Sequence, residues 1–362
     1  MNTTISLTAP ARICLFGDHQ DYLGLPVIAC AIDKYITLTA ERNNEKKLEL
    51  NLPDIQFERS IDISETFETL EKGDHFASAI RVIKKHGVLI DLGYKITISG
   101  NIPINAGVSS SSAVVVAWIH FLLKAFSVDN KITHEFISQL AYEAEVLEHH
   151  SPGGKMDQYT IGIGNVVFIE TGDYFNYELI GDTIDGMVLG ESGIAKNTIG
   201  LLGSCKSNAI KAIKIIQDKE ASFVLEKATL KDYENYKTLL PDELKPFFYA
   251  AIQNHIITKK ALTVLKKTTL NYPLIGNLIN QHHRILRDDL KLTVPKIDAM
   301  IDAAIKAGAY GAKIIGSGGG GCIVALCPNH LQEKISVAIK KAGAIDAYPV
   351  CVAKGTQIII DA

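Results

Sequence analysis

Several signals are missing from these 362 residues, and each absence removes a class of function. No apolar run approaches the ~20 residues of a membrane span, because charged or polar side chains interrupt every candidate. Met1-Asn2-Thr3-Thr4 opens without a basic patch leading into an apolar stretch, so no secretory signal is visible and a cytoplasmic location is expected. Lys plus Arg total 37 against 40 for Asp plus Glu, so the basic excess of a duplex-binding surface is lacking and no nucleic-acid partner is expected. No Cys-x-x-Cys pair occurs among the six cysteines, and most of them sit in apolar segments such as Ile13-Cys14-Leu15. Buried free thiols fit that pattern better than zinc or disulfides. A Walker-type G-x-x-x-x-G-K-[ST] string is absent as well.

The composition that remains is 47% hydrophobic and 21% charged, enough for a real core. Length suggests two domains. Short β-branched segments at residues 5–7, 13–16, 27–31, 35–40 and 94–98 read as strands, followed by 166–170 and 186–189. Helical spacing marks 74–85, and long apolar stretches without Gly or Pro mark helices over 111–126 and 135–147. A mainly helical half then covers 205–217, 221–227, 242–265 and 275–290. The chain closes with helices at 296–307 and 330–342 and strands at 312–315, 322–326 and 357–360. This mixture predicts an α+β protein, divided by the change in character into residues 1–185 and 186–362.

Three loops and a pair of acids carry the chemistry. Ser109-Ser110-Ser111-Ser112 follows Gly107 and opens the helix expected over 111–126. Free N–H groups at a helix N-terminus suit a polyphosphate, and serine hydroxyls add hydrogen bonds or a Mg²⁺ ligand. Capping alone needs only one serine. Gly316-Ser317-Gly318-Gly319-Gly320-Gly321 formally satisfies G-x-G-x-x-G, but an apparent strand follows it where a dinucleotide site requires a helix. Five glycines in six positions point to a backbone lying close to a ligand or to another loop.

Arg12 with Gly17-Asp18-His19-Gln20-Asp21-Tyr22 concentrates a cation, two acids, an imidazole and a phenol between apolar walls. Such groups suit several sugar hydroxyls, and equally a solvated hairpin with a salt bridge. Glu145, near a helix end, and Asp157, beyond a Pro/Gly turn, could divide their labour between Mg²⁺ and an acceptor hydroxyl. They could also be solvated surface acids. The adjacent His149 and His150 point different ways on a helix and are given a structural or surface role.

Together these segments resemble the GHMP kinases, the superfamily of galactokinase, homoserine kinase and mevalonate kinase. Gly17-Asp18-His19-Gln20-Asp21-Tyr22 is similar to the galactokinase signature G-E-H-x-D-Y, and Gly107-Val108-Ser109-Ser110-Ser111 to the nucleotide loop G-L-S-S-S. Gly316 to Cys322 matches the closing glycine motif. Gly154-Lys155-Met156-Asp157-Gln158 resembles G-I-M-D-Q, and Leu286-Arg287-Asp288-Asp289 resembles L-R-D-D-Y. The resemblance implies an N-terminal half like ribosomal protein S5 domain 2 and a ferredoxin-like C-terminal half, with the site between them. It implies ATP and Mg²⁺ as cofactors and a small-molecule substrate, with a sugar first. By the same resemblance Asp157 and Arg12 would be catalytic, and Asp18, His19, Asp21 and Gly154 would hold sugar hydroxyls. Gly107, Ser109, Ser110 and Ser111 would cradle the phosphates, Gly318 and Gly319 would close over them, and Ser111 and Glu145 would ligate Mg²⁺.

The sequence departs from the galactokinase pattern in two ways. Asp18 stands where galactokinases have Glu and Cys14 where they have Asn. Residues 192–198 look more like a stretch of mevalonate kinases. A mevalonate acceptor would need a cation for its carboxylate, for which Lys155 and Lys196 are candidates. A non-catalytic sugar or ATP sensor is the third reading, and such proteins typically lose residues that this chain keeps.

Overall fold

The computed structural model describes residues 4–126, 131–172, 174–195 and 198–361. Its first half contains β1 (Thr4–Phe16), β2 (Val27–Asn43), β3 (Lys47–Leu52), β4 (Phe57–Asp62), α1 (His75–Lys85) and β5 (Gly93–Gly100). There follow α2 (Ser110–Ala125), α3 (His134–Tyr142), α4 (Met156–Ile163), β6 (Val166–Glu170) and β7 (Asn176–Gly181). The second half begins with β8 (Met187–Glu191), α5 (Thr198–Lys219), α6 (Leu230–Tyr236), α7 (Lys245–Leu265) and α8 (Tyr272–Arg284). It ends with α9 (Pro295–Ala307), β9 (Gly311–Ile314), β10 (Cys322–Leu326), α10 (Gln332–Lys341), β11 (Asp346–Val350) and β12 (Gln357–Asp361).

The first sheet runs β12-β1-β2-β5-β3-β4, with β6 added to β2 and β7 to β6. Each of its two long strands replaces a pair of shorter ones expected from sequence. The expected gaps coincide with a bulge, where the register steps from Pro10↔Tyr35 to Ala11↔Ile32 and leaves Asp33 and Lys34 without partners opposite. Pro10 has no N–H to give the ladder, so a register step at that point costs little. The second sheet, β11-β8-β10-β9, is antiparallel throughout and has the ferredoxin-like strand order. The fold is therefore α+β, as the sequence predicts.

Helix α2 lies against β1 and β2 and is apolar on every side, with Trp118 and Phe121 fully buried among Phe76 and Tyr94. A helix of this kind belongs inside a protein, and its depth fixes where its N-terminus emerges. Helix α1 starts where Asp74 accepts a hydrogen bond from the Ala77 N–H at 3.1 Å, and α3 starts the same way at Thr133. The helix expected over 221–227 reduces to one 3₁₀ turn, Leu225–Lys227. Phe223 and Leu225 stand two residues apart, a spacing that cannot bury both on one helix face, and they pack beside Phe248 in a loop instead.

Candidate active site

Strand β1 carries Arg12 into the floor of a cleft of about 650 Å³. Its guanidinium grips Asp157 with both arms, Nε donating to Oδ1 at 2.8 Å and Nη2 to Oδ2 at 2.7 Å. The remaining arm, Nη1, donates to the Gly107 carbonyl at 2.6 Å. One buried side chain thus ties the acid in the first turn of α4 to the loop before α2. Burial works against the charge of Arg12, but Asp157 outweighs it and raises the pKa above its ordinary value. A two-armed bond of this type fixes distance and plane together, which a lysine could not do.

The serine run does more than cap α2. Ser109 occupies the N-cap position in the left-handed region (φ 60°) and caps nothing with its side chain, because its hydroxyl donates to Asp157. The first-turn residues Ser110, Ser111 and Ser112 line the cleft, with the positive end of the helix dipole facing into it. The left-handed backbone turns the Ser109 hydroxyl away from the α2 amides and toward Asp157. Gly107, at φ 94°, is needed where it stands, since a Cβ there would fall 2.8 Å from the Ile315 carbonyl oxygen.

Glu145 enters from a π-helical turn, Glu143–Leu147, that continues α3. Widened turns of this kind re-aim a side chain and are frequent at functional sites. Its carboxylate accepts from Ser112 Oγ at 2.9 Å, Ser111 Oγ at 3.4 Å and Gln158 Nε2 at 2.6 Å. Burial, joined by the charge of Asp157, pushes its pKa up to about 7 against the pull of those donors. A buried carboxylate with only neutral partners and a neighbouring anion is a ready ligand for a hard cation. Among the described residues no group of three or more His, Cys, Asp or Glu side chains could hold a metal alone, so a cation here needs further oxygen ligands from elsewhere.

Around the turn that follows β1 the cleft is lined by Asp18, His19, Asp21, Tyr22, Gly154 and Ser317. Gly154 leaves room for an acid, because a Cβ there would sit 2.1 Å from Asp21 Oδ2. Burial, helped by the charge of Asp157, lifts the Asp21 carboxyl to about 6. His19 stands at φ 64° with Nδ1 3.1 Å from the Tyr22 hydroxyl, and burial lowers its pKa. Asp18 is fully buried and paired with Lys313 at 2.6 Å.

Ser112 and Gln158 lie within the motifs read from the sequence but carry no role there, and Lys313 belongs to none of them. A lone lysine in the apolar run Gly311-Ala312-Lys313-Ile314-Ile315 was the available signal for the last. Gly318 and Gly319, expected over the phosphates, do not line the cleft. They pack on Leu292, whose carbonyl accepts the Gly319 N–H at 2.8 Å, while Gly316 and Ser317 reach the site. Gly316 and Gly321 press instead on Gly107 and Ala106, joining the two loops backbone to backbone. Lys155 lies over the Phe175 ring at 4.4 Å, outside the cleft wall, and Lys196 falls outside the described residues.

A second cleft of about 840 Å³ adjoins the first and shares Lys72, Gly73, His75 and Ser111 with it. Phe57, Phe67, Phe76 and Trp118 give it an aromatic lining. A charged cleft thus opens onto an apolar one across the N-terminus of α2.

Known proteins resemble this chain over most of its length. Residues 2–42 match the galactokinase galactose-binding signature, 74–165 the GHMP kinases N terminal domain and 262–345 the GHMP kinases C terminal domain. A mevalonate kinase of Pyrococcus furiosus is 29% identical over 347 residues, covering 93% of this chain and 92% of that protein. A galactokinase of Fusobacterium nucleatum is 27% identical over 353 residues, covering 92% and 87%. The crystal structure of Lactococcus lactis galactokinase complexed with galactose superposes with a TM-score of 0.85 at 23% identity, covering 98% of this chain and 95% of that one. With three matches in order along one two-domain fold, the chain belongs to the GHMP kinases, a family of ATP-using enzymes that phosphorylate small molecules.

Proposed function

We propose that this protein is a sugar kinase that transfers the γ-phosphoryl group of ATP to the anomeric hydroxyl of a monosaccharide such as galactose. The observation that carries the reading is the charge of the acceptor wall. Asp21 and Asp157 face the acceptor space, and among the described residues the cations nearest them are engaged: Arg12 with Asp157, Lys313 with Asp18, and Lys206 with the Pro152 carbonyl at 3.1 Å, while Lys72 stands at the far end, where the cleft meets the aromatic one. A wall of hydrogen-bond acceptors suits a neutral polyol and repels a carboxylate-bearing alcohol. The match of residues 2–42 to a galactose-binding signature supports the same choice.

In this reading the triphosphate lies along the first turn of α2 and the loop of Gly107, Ser109, Ser110 and Ser111, with the base in the aromatic cleft beyond Ser111. Asp157 takes the proton of the attacking hydroxyl as the new O–P bond forms and the bond to the β-phosphate oxygen breaks, releasing ADP. Arg12 holds Asp157 ionised, with its own charge beside the transferring group. Glu145 and Ser111 would hold Mg²⁺, which when bound neutralises phosphate charge. Ser112 and Gln158 orient the Glu145 carboxylate, and His19, Asp21 and the space left by Gly154 set the acceptor.

The test is ADP release with Mg·ATP across free sugars, sugar acids, mevalonate and homoserine. Turnover with one neutral sugar and phosphate on its anomeric oxygen is the expected result. Turnover with mevalonate alone would overturn the sugar assignment and turn attention to residues 192–198. Nucleotide binding without turnover on any acceptor would favour the sensor reading.

A further inference from the structure

The part of the predicted acceptor set that behaves least like a ligand is Asp18. Its side chain is only 2% exposed, and Lys313, its partner at 2.6 Å, is wholly enclosed. The same ammonium donates to the Cys14 carbonyl at 2.9 Å, and Asp18 Oδ1 accepts the Gly316 N–H at 3.3 Å. His282 of α8 completes the enclosure, Nε2 lying 3.9 Å from Asp18 Oδ2. Burial holds His282 neutral, with its pKa near 3, so the cluster consists of one cation, one anion and a neutral ring.

These residues come from separate elements: Cys14 from β1, Asp18 from the acceptor loop, Lys313 from β9 and Gly316 from the glycine turn. A buried ammonium without its anion, or the reverse, is strongly unfavourable, so the pair fixes where the loop sits. Both Asp18 oxygens are occupied by protein donors. Each oxygen could still take a second donor, but with the side chain only 2% exposed almost none of its surface is open to an acceptor.

We infer that Lys313 is a positioning residue of the acceptor site: through Asp18 it straps the loop carrying His19, Asp21 and Tyr22 to the C-terminal sheet, and Asp18 acts on the acceptor only through that strap. The inference deepens the kinase reading and rests on it for the location of the acceptor, but not for the acceptor's identity. Acceptor affinity therefore depends on a residue that touches no substrate, while the ATP side, held by Arg12 and α2, does not.

Three variants test it: Lys313→Met, Lys313→Arg and the charge-balanced pair Asp18→Asn with Lys313→Met. Hydrogen exchange needs no substrate. The amides of Gln20, Leu23, Gly24 and Leu25, bonded within the loop, should exchange about tenfold faster or more in Lys313→Met while those of β10 stay protected. With the acceptor found for the wild type, the KM for that acceptor should rise about tenfold or more with the KM for ATP unchanged. Lys313→Arg should restore part of the loss. If Lys313→Met does not fold, the balanced double variant removes the stranded charge and should still show fast loop exchange and a raised acceptor KM. Wild-type loop exchange and acceptor KM in either folded variant would overturn the inference. A wild type that uses mevalonate instead of a sugar would overturn only the sugar assignment, and the same comparison would then be run on mevalonate.

Discussion

Replacing Asp157 with asparagine separates the structural from the chemical work of this acid. The carboxylate receives both Arg12 arms and the Ser109 hydroxyl, so Asn keeps the size but offers one acceptor oxygen and no charge. Stripping a fully buried ion pair of one partner costs about 3–5 kcal/mol. The Asp157 side chain is 27% exposed, and the amide oxygen still accepts one arm, so about 1–3 kcal/mol is the reasonable loss. At about 2–4 °C per kcal/mol for domains of this size, Tm should fall by several degrees while the protein stays folded at 25 °C. Turnover should suffer much more, because losing a positioned base removes about 10²–10⁴ in rate, or about 3–5 kcal/mol of barrier stabilisation. The assay is kcat at saturating Mg·ATP and acceptor, with nucleotide affinity measured by titration. Expected are a collapsed kcat and a nearly intact affinity for ATP. A folded Asp157→Asn enzyme with undiminished kcat would refute the assignment of Asp157.

Glu145 predicts a pH dependence of unusual sign. Its carboxyl is pushed up to about 7 in the folded chain, above the ~4.3 of an unfolded glutamate. The folded state therefore holds the proton more tightly, and stability of the ligand-free protein declines as pH rises from about 4.5 through 7. Thermal melts at pH 5.5 and 8 should show this trend, and Glu145→Gln should lessen it, with Asp21, raised to about 6, keeping its share; equal slopes in both proteins would contradict the cause given. Binding of Mg·ADP near pH 7 should release about half a proton, read by calorimetry in buffers of different ionisation enthalpy. Gly154→Ala should displace the Asp21 carboxylate, whose Oδ2 lies 2.1 Å from where the new Cβ would sit. The expected result is a raised KM for the acceptor with the KM for ATP untouched; equal changes in both would show that the whole cleft had shifted.

Most of what positions the chemistry was readable because it is written in local patterns. The serine run at a helix start, the glycines of 316–321 and the apolar length of α2 each follow from short-range rules of capping, backbone freedom and periodicity. Strands β3 and β4 were missed although Leu48, Leu50 and Leu52 alternate inward. Three leucines among lysine, glutamate and asparagine have little intrinsic strand preference, and partners supplied by β5 decide the matter. The same limit applies within the site. No local rule pairs Lys313 with Asp18 or turns Gly318 toward Leu292, because these contacts join residues far apart in sequence and are chosen by the packing of the second sheet on the first. The resemblance sets Arg12 beside Asp157, and the two are hydrogen-bonded in the structure, whereas the fork that includes Gly107 joins residues 95 apart and is visible only there.

The edge of the first sheet has a consequence for synthesis. Strand β1, which presents Arg12, is flanked on one side by β2 and on the other by β12, with Ile5 facing Asp361. As the chain emerges, β1 and β2 can pair at once, but the outer edge of β1 stays open until residues 357–361 have been made. An unpaired, apolar edge of that length is a template for a neighbouring copy. The arginine strand is thus paired on one side long before it is covered on the other, and changes confined to residues 357–361 should reduce the yield of folded enzyme without touching any residue of the cleft.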